Sequence, residues 1–257
     1  MPKSSTSWGK VAGWYNRLLE EGQDTYQEKI IKPNLLRLLN PGPRQEILDL
    51  GCGQGYFARA VAQTGAKVLG VDLAGELIRL AKAQAGGNEN YLVLSAEKLS
   101  GLAGKRFDKA VCVLALQNIK NLSAAVGELA RVLKPAGRAV LVLNHPAFRV
   151  PTASAWGFDP QAQVQYRRVE KYLSEITQTV DMTQGVKDPK KKKFTVSFHR
   201  PLQAYFKAFY KHGLAVARLE EWVSHKTSDR GPRKAAEDLA RREIPLFLAL
   251  EVEKLKN

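Results

Sequence analysis

A glycine-rich segment, EILDLGCGQGYF at residues 46–57, is the part of the sequence best suited to bind a ligand. Gly51, Gly53 and Gly55 alternate there, and residues without side chains let a ligand lie against the backbone. No Lys-Ser/Thr pair follows as in a Walker phosphate loop, and the third glycine comes one residue too early for G-x-G-x-x-G. Asp49 stands where a phosphate binder would avoid an acid, so the segment favours a ligand with a positive charge. A glycine turn without any ligand is the alternative interpretation.

Asp72, at the end of the next apolar run LGVDLA, is the second residue with suitable chemistry. An acid at this place can accept hydrogen bonds from both hydroxyls of a ribose, which favours an adenosine-type ligand over a bare phosphate. Its alternative role is to cap the following helix, and the two roles are compatible. Together with the glycine segment, Asp72 indicates one site for a cationic nucleoside.

An alternation of strands and helices must position these residues. The apolar runs EILDL, KVLGVD, YLVLSA, FDKAVCVLAL and RAVLVLN are separated by amphipathic segments such as YFARAVAQTG and SAAVGELARVLKPAG. This rhythm predicts right-handed crossovers and an α/β fold with a parallel, doubly wound sheet. Ligands of such sheets bind outside the carboxyl ends of the strands, where the glycine segment lies. PLQAYFKAFYKHG predicts a later helix, and LAVARLEEWV and PLFLALEVEK predict two further strands.

Four segments follow from this pattern. The pattern predicts a helical lid at residues 1–43 and the ligand-binding core at residues 44–145. The alternation stops in residues 146–199, which we interpret as an insertion with its own strands or a hairpin and a role in substrate recognition. Residues 200–257 predict the last helix and strands six and seven of the core.

Five sequence elements in order resemble the class I S-adenosylmethionine-dependent methyltransferases. The resemblance covers residues 46–145 and consists of DLGCGQG at 49–55, Asp72, SAEKL at 95–99, LALQNI at 114–119 and ARVLKPAGRAVLV at 130–142. It implies a methyltransferase with S-adenosyl-L-methionine as its cofactor and a Rossmann-like sheet of seven strands, the last one antiparallel. NHPAFRVP, FHRPLQAYF, LEEW and PLFLALEVEK are similar to a methyltransferase type 11-like subgroup, and this similarity implies no particular acceptor.

The resemblance also implies which residues contact the cofactor. They come from the strand ends and the lid: Asp49, Gly51, Cys52, Gly53, Gly55, Asp72, Leu73, Ser95, Ala96, Glu97, Leu114 and Tyr15. Trp8 lies on the same predicted lid helix as Tyr15, and core packing of that helix is the alternative for both. The family commonly has an Asp after strand three that bonds the adenine amine, and Ser95 matches this position. We therefore expect adenine to depend more on the Ala96 backbone and on packing against Leu73.

Residues near strand ends and in the insertion are candidates for the acceptor side of the reaction. Methyl transfer needs an in-line approach, and a general base is needed only if the acceptor must lose a proton. His145, His199 and Tyr166 are the candidate catalytic residues. The alternatives are packing or capping for His145, a helix N-terminal turn for His199 and a solvated face for Tyr166. The candidate substrate-binding residues are Gln117, Asn118, Asn144, Arg149 and Arg200.

The formal net charge of +15 permits an acidic partner such as RNA or a membrane surface. KDPKKKKF at 187–194, which contains the Lys190–Lys193 run, could steer a nucleic acid, but a solvated hairpin tip explains it equally well. The sequence shows no RNA-recognition module, no metal-ligand spacing and no apolar run of membrane-spanning length. Cys52 and Cys112 suit buried free thiols, so a cytoplasmic location is expected.

Three functions are compatible with the sequence. The first is a methyltransferase for a small molecule that is held under the lid and the insertion. The second is an RNA or protein methyltransferase that uses the basic surface, and the third is a noncatalytic S-adenosylmethionine-binding protein. We favour the first, because a lid and an insertion would build a closed pocket, whereas a polymer needs an open face.

Overall fold

A central sheet carries the loops of the predicted site. The structure is a computed structural model and describes residues 6–22, 24–183, 186, 188, 190 and 192–256. Its strands are β1 (Glu46–Leu50), β2 (Lys67–Asp72), β3 (Glu89–Val93), β4 (Phe107–Val113), β5 (Leu133–Asn144), β6 (Ser154–Asp159), β7 (Val164–Val169), β8 (Ile176–Asp181), β9 (Phe194–His199), β10 (Leu214–Trp222) and β11 (Phe247–Lys254).

Seven of these strands form the sheet, in the order β10-β11-β5-β4-β1-β2-β3. Neighbouring strands are parallel from β5 to β3, whereas β11 is antiparallel to both β5 and β10. This order confirms the predicted Rossmann-like sheet with an antiparallel last strand. The order reverses between β1 and β4, and ligands of open α/β sheets bind in the crevice outside the carboxyl ends at such a reversal.

Helices cover both faces of the sheet. They are α1 (Ser7–Glu21), a π-helix (Gln27–Ile31), α2 (Lys32–Leu39), α3 (Tyr56–Ala62), α4 (Gly75–Ala83), α5 (Leu122–Val132), α6 (Leu202–Lys211), α7 (Lys234–Glu243) and two 3₁₀ helices (Ser100–Leu102 and Leu116–Asn118). Leu48 of β1 belongs to the same core cluster as Leu129 of α5, and Ile47 belongs with Val61 of α3. Burial on both faces explains the continuous apolar sequence of β4. Within the described ranges, none of the helices combines the length and apolar character needed to cross a membrane.

Helix α1, in the segment predicted to be a lid, lies beside the end of β2. It begins where the Thr6 hydroxyl accepts the backbone N–H of Gly9 at 2.9 Å, an N-cap that fixes its start. One face of α1 packs against α4, where Ala12 clusters with Ala74 and Leu77. Because α4 follows β2 directly, this packing holds α1 next to the carboxyl edge of the sheet.

The insertion forms two hairpins, each a separate two-stranded sheet. β6 pairs with β7 and β8 pairs with β9, both antiparallel. β9 packs against α1 and against the 3₁₀ helix Leu116–Asn118 that follows β4. The alternation in KKFTVSFHR thus predicted a real strand, and this strand reaches the carboxyl edge of the main sheet. Lys187 and Lys191 of the lysine-rich stretch lie outside the described residues.

The third strand is shorter than the sequence predicted. The apolar run suggested a strand as far as Ala96, but β3 ends at Val93. Ser95 forms a turn instead: its carbonyl accepts the backbone N–H of Lys98 at 3.0 Å. The Ser95 hydroxyl also accepts the backbone N–H of Glu97 at 3.2 Å, and serine side chains that bond the backbone in this way often end regular structure.

Two helices also differ from the prediction. α5 ends at Val132 rather than Gly137, because Leu133 already pairs with Phe107 in the main sheet. α7 was not predicted at all, although KAAEDLARRE consists largely of residues that favour helices. It packs against β7 of the insertion, and Arg233, just before α7, lies over the ring of Phe158 at 4.6 Å.

Candidate active site

A cavity of about 530 Å³ lies at the carboxyl ends of β1, β2 and β4, where the strand order reverses. Helix α1 and strand β9 border it. Of the predicted cofactor contacts, all except Gly55 line this cavity: Asp49, Gly51, Cys52, Gly53, Asp72, Leu73, Ser95, Ala96, Glu97, Leu114 and Tyr15. The fold therefore gathers in one place residues that the sequence spreads from position 15 to position 114.

The glycine loop follows β1 and forms one wall of the cavity. Gly51, Gly53 and Gly55 have positive φ angles of 76°, 57° and 85°, a region that favours glycine. A Cβ on Gly51 would lie 2.5 Å from the Cβ of Ala115, so this wall has no room for a side chain there. Gly55 does not line the cavity, and a Cβ there would lie 2.6 Å from the Tyr91 hydroxyl. Its role in the structure is to turn the chain into α3.

Asp72 joins the glycine loop to the start of α4. Its carboxylate accepts the backbone N–H of Gly53 at 3.0 Å and that of Ala74 at 2.8 Å. Burial raises the pKa of Asp72, although these backbone hydrogen bonds lower it. The backbone N–H of Leu73 also bonds this carboxylate, which has about four lone-pair positions and so can still accept a ribose hydroxyl from the cavity.

Asp49 is a buried acid that forms no ion pair with any of the described residues. The residue is 1% exposed, and its Oδ2 has no hydrogen-bond partner among the described residues. Burial and the nearby charge of Asp72 raise the pKa of Asp49 to about 7, although the backbone N–H of Ala58 lowers it. A cationic ligand group would pair with the free oxygen and stabilise the ionised form.

Two tyrosines of the cavity are held by successive side chains of the π-helix. Burial raises the pKa of Tyr15 to about 12, although a hydrogen bond with the Gln27 side chain lowers it. The hydroxyl of Tyr56 donates a hydrogen bond to Glu28. π-Helical turns often occur at functional sites, and here the turn supplies a partner for each ring. Both tyrosines are therefore oriented by protein contacts alone.

Arg59 of α3 connects the lid to the glycine loop. Its Nη2 lies 2.5 Å from Oε1 of Glu20, near the end of α1. Its Nη1 donates to the carbonyl of Gln54, within the loop, at 2.8 Å. The position of α1 is therefore coupled to that of the loop through one guanidinium.

The turn after β3 supplies the wall next to the ribose acid. Ser95, Ala96 and Glu97 line the cavity. The Ser95 hydroxyl accepts the backbone N–H of Glu97 at 3.2 Å, and Glu97 Oε1 accepts that of Asn121 at 2.8 Å. The Ser95 hydroxyl retains its own proton, which it can donate to a ligand.

Leu114 is a strained residue in the cavity wall. Its φ of 53° ends β4 at Val113, earlier than the apolar run FDKAVCVLAL predicts. Its backbone N–H donates to the Val142 carbonyl at 2.8 Å, and its carbonyl accepts Nδ2 of Asn118 at 2.9 Å. Non-glycine residues with positive φ cluster at functional sites, and this one directs the chain along the cavity.

The three candidate catalytic residues lie outside the cavity lining. His145 is buried, and its Nε2 lies 2.7 Å from Oε1 of Glu221 on β10. Burial lowers the pKa of His145, although Glu221 raises it. His199 donates from Nε2 to the Tyr172 carbonyl at 2.8 Å, and Tyr166 is 47% exposed on β7. The two histidines are thus engaged in contacts within the fold, and the structure does not bring the three residues together.

Arg200, a candidate substrate-binding residue, instead fastens the insertion to the core. It is buried, and its Nη2 donates to the carbonyls of Ile119 and Lys120 at 2.9 and 2.6 Å. Its guanidinium also lies over the Phe198 ring at 5.3 Å. These contacts hold β9 against the segment that follows β4, so Arg200 positions two walls of the cavity without lining it.

The other candidate substrate-binding residues are distributed around this region. Asn118 lines the cavity. Gln117 is buried next to it but outside the lining, and Asn144 pairs in register with Phe247 at the end of β5. Arg149 follows the turn after β5 and also lies outside the lining.

An apolar part of the cavity was missed by sequence reasoning. It consists of residues from the lid, α3, the segment after β4, and β9: Leu19, Tyr56, Phe57, Ile119, Val196 and Phe198. The alternation of TVSFH places Val196 and Phe198 on one face of a strand. That signal indicates an apolar face but not which other element it covers.

Comparison with known proteins agrees with this site. Residues 48–141 match the model of a methyltransferase domain. A demethylmenaquinone methyltransferase from Tropheryma whipplei is 32% identical over 111 residues, which are 43% of this chain and 46% of the relative. A ubiquinone biosynthesis O-methyltransferase from Xanthomonas axonopodis pv. citri is 34% identical over 113 residues, which are 42% of this chain and 46% of the relative. The chain thus spans about half the length of these curated relatives.

A solved structure supports the fold. An S-adenosylmethionine-dependent methyltransferase from Mesorhizobium loti superposes with a TM-score of 0.66 at 24% identity, covering 91% of this chain and 99% of that chain. The matched domain contains the glycine loop and Asp72, and the sheet has the seven strands and the antiparallel last strand that the resemblance implied. Residues 48–141 therefore form a methyltransferase domain, and the chain shares its fold with an S-adenosylmethionine-dependent methyltransferase.

Proposed function

We propose that the chain binds S-adenosylmethionine and transfers its methyl group to a small, mainly apolar acceptor. The observation that carries this proposal is a cavity with two kinds of wall. One wall consists of the glycine backbone and the two acids, and the other consists of aromatic and aliphatic side chains of α1, α3 and β9. Enclosed, largely apolar cavities with a few polar groups are typical of small-molecule sites.

The residues of the first wall fit the cofactor. The unpartnered Oδ2 of Asp49 would meet the positively charged methionyl end, and Asp72 would accept the ribose hydroxyls. Ser95 and Ala96 would border the adenine. The bound cofactor supplies an electrophilic methyl group on a sulfonium. The chain would then act by orienting the acceptor and excluding water.

The residues of the second wall suit an aromatic acceptor. Phe57, Ile119, Val196 and Phe198 would pack against its ring, and aromatic side chains favour such contacts. The names of the two curated relatives, a demethylmenaquinone methyltransferase and a ubiquinone biosynthesis O-methyltransferase, support an acceptor with a quinone-type ring. Hydroquinones and catechols are therefore the first compounds to test.

Two measurements test this function. Calorimetry should show that S-adenosylhomocysteine binds the wild type and binds Asp72→Ala at least about tenfold more weakly, because the ribose hydroxyls lose a charged acceptor. Turnover of hydroquinones and catechols should then show a raised KM in Phe198→Ala. Phe206→Ala is the matched control, since this ring of α6 is exposed and lies outside the cavity lining. A wild type that fails to bind S-adenosylhomocysteine would exclude the proposal, whereas binding without any turnover would favour a noncatalytic binding protein.

An RNA or protein methyltransferase is the second candidate, and the net charge of +15 favours it. Lys190, Lys192 and Lys193 lie between β8 and β9, although Lys192 is paired with Asp181 at 3.2 Å. For a single-stranded RNA, the logarithm of the binding constant should fall with the logarithm of salt concentration by about 0.7 per phosphate contact. A Lys192→Glu, Lys193→Glu variant should reduce this slope. Weak binding without a salt dependence would favour the small molecule.

A further inference from the structure

The Trp8 indole of the lid has a hydrogen-bond donor without an acceptor. Its Nε1 is buried and finds no partner among the described residues, and Trp8 lines the cavity. Tyr15 meets the indole edge-on, with ring centroids 5.3 Å apart at 71°. Trp8 also packs against the cluster of Ala12, Ala74 and Leu77. These neighbours fix the ring, so the N–H points in a defined direction.

A buried indole N–H normally has a hydrogen-bond partner in folded proteins. Without one, the donor has lost its water and gained nothing in return, which is unfavourable. A ligand that offers an acceptor at this place would remove the free-energy cost of the unpaired N–H. Its binding would therefore also stabilise the observed position of α1.

The surroundings of Trp8 indicate which part of the cofactor would accept this hydrogen bond. Ala74 and Leu77 belong to the chain that follows Asp72, the residue proposed to hold the ribose, whereas the methionyl end is assigned to Asp49. A nucleoside offers ring nitrogens and ribose oxygens as acceptors. Ser95 is neutral and stands where the resemblance implied an acid, so the sheet offers the nucleoside one charged partner fewer. A hydrogen bond from α1 would compensate for this.

We propose that the Trp8 N–H donates a hydrogen bond to the nucleoside half of S-adenosylmethionine. Trp8 is then a cofactor-binding residue, and the lid recognises the cofactor by a directed polar contact as well as by covering it. The inference rests on the proposed function, because it requires that this cofactor occupies the cavity.

Calorimetry with two probes tests the inference. S-adenosylhomocysteine contains the nucleoside and the amino-acid group, whereas 5′-methylthioadenosine contains the nucleoside without the amino-acid group. Trp8→Phe keeps an aromatic ring and removes the N–H. It should therefore reduce the affinity for both probes by a similar factor of about five to ten. Trp14→Phe is the matched control, because Trp14 lies on the same helix but outside the cavity lining. It should leave both affinities within about twofold of the wild type.

The outcomes separate this inference from the proposed function. Unchanged affinities in Trp8→Phe would overturn the inference while the cofactor assignment stands. A loss confined to S-adenosylhomocysteine would also overturn it, because the acceptor would then belong to the amino-acid group. If the wild type binds neither probe, the proposed function fails, and the inference fails with it.

Nuclear magnetic resonance provides a second test, in which the probe is added to the wild-type protein and the variant serves only to assign the signal. The indole N–H signal of Trp8 is identified in the wild-type spectrum by its absence from the spectrum of Trp8→Phe. It should move downfield when 5′-methylthioadenosine is added, as expected for a donor that gains an acceptor, while the Trp14 signal changes little. A Trp8 signal that does not respond to either probe would overturn the inference.

Discussion

Replacing Asp49 with asparagine should stabilise the ligand-free protein at pH 8 and weaken its binding of the cofactor. The carboxylate is buried, and one of its oxygens lacks any partner in the described structure. Asparagine has nearly the same shape and its carbonyl can accept the same backbone N–H from Ala58. The substitution therefore removes the charge with little change in packing.

The size of the effect follows from the pKa of Asp49, which burial raises from 3.8 to about 7. The folded protein holds this proton more tightly than the unfolded chain, so stability is lost as the pH rises from about 4 to about 7 and the loss is constant above pH 7. The full loss corresponds to about 4 kcal/mol. Asparagine has no proton to release, so the variant avoids this loss of stability.

Urea unfolding of the wild type and Asp49→Asn at pH 5 and pH 8 measures this difference. The stability gained by the substitution should be about 2–3 kcal/mol larger at pH 8 than at pH 5. Asp108→Asn is the control: burial alone would raise the pKa of Asp108, but Lys134 and the backbone N–H of Glu46 lower it. Asp108 is thus ionised at both pH values, and its loss should destabilise the protein equally at each. Equal effects of Asp49→Asn at pH 5 and pH 8 would refute the reasoning.

The same pKa predicts how the cofactor binds. A cationic ligand prefers the ionised carboxylate, so the affinity of the wild type for S-adenosylmethionine should increase as the pH rises to about 7 and then level off. Asp49→Asn should bind more weakly and lack this increase. Calorimetry in buffers of different ionisation enthalpy would also detect the proton that the wild type releases on binding below pH 7.

Three further substitutions test the other parts of the site. Gly51→Ala should cost about 2 kcal/mol or more in urea unfolding and abolish binding of S-adenosylhomocysteine, because φ is 76° and the new Cβ would lie 2.5 Å from that of Ala115. Arg200→Met should destabilise the protein by about 2–4 kcal/mol, since the carbonyls of Ile119 and Lys120 lose a buried, charged donor. Arg59→Ala should change stability by no more than about 1 kcal/mol but speed the release of S-adenosylhomocysteine in stopped-flow experiments, because the lid loses its ion pair with Glu20.

The wall proposed to hold the cofactor could be predicted from the sequence because its parts are local. β1, the glycine loop and α3 are consecutive, and β2 pairs with β1 in parallel register, Asp49 beside Gly70. This pairing by itself brings Asp72 to the glycine loop, where it accepts the Gly53 N–H. A pattern of strand, turn and helix was therefore sufficient to locate the acid, the loop and the edge of the sheet.

The apolar wall, which we propose to hold the acceptor, depends on contacts that no local pattern specifies. Val196 and Phe198 line the cavity because β9 packs against α1 and the segment after β4, which are distant from it in sequence. His145 comes directly after β5, as expected of a residue at the crevice, but Glu221 on β10 binds its ring. The sequence indicated that His145 follows β5. The direction of its side chain depends on Glu221 of β10, a strand that lies far from it in the sequence.

The position of the histidines bears on the chemistry of the proposed acceptor. No histidine is found among the described residues that line the cavity, and its acids, Asp49, Asp72 and Glu97, belong to the part proposed to hold the cofactor. An aliphatic alcohol, whose proton leaves only with help from a base, would therefore be a poor acceptor. A phenolic hydroxyl ionises with a pKa of about 10, as tyrosine does, and can release its proton to water more readily. The apolar wall favours an aromatic ring and the lack of a histidine favours an acidic hydroxyl, so two independent features of the cavity point to the same class of acceptor.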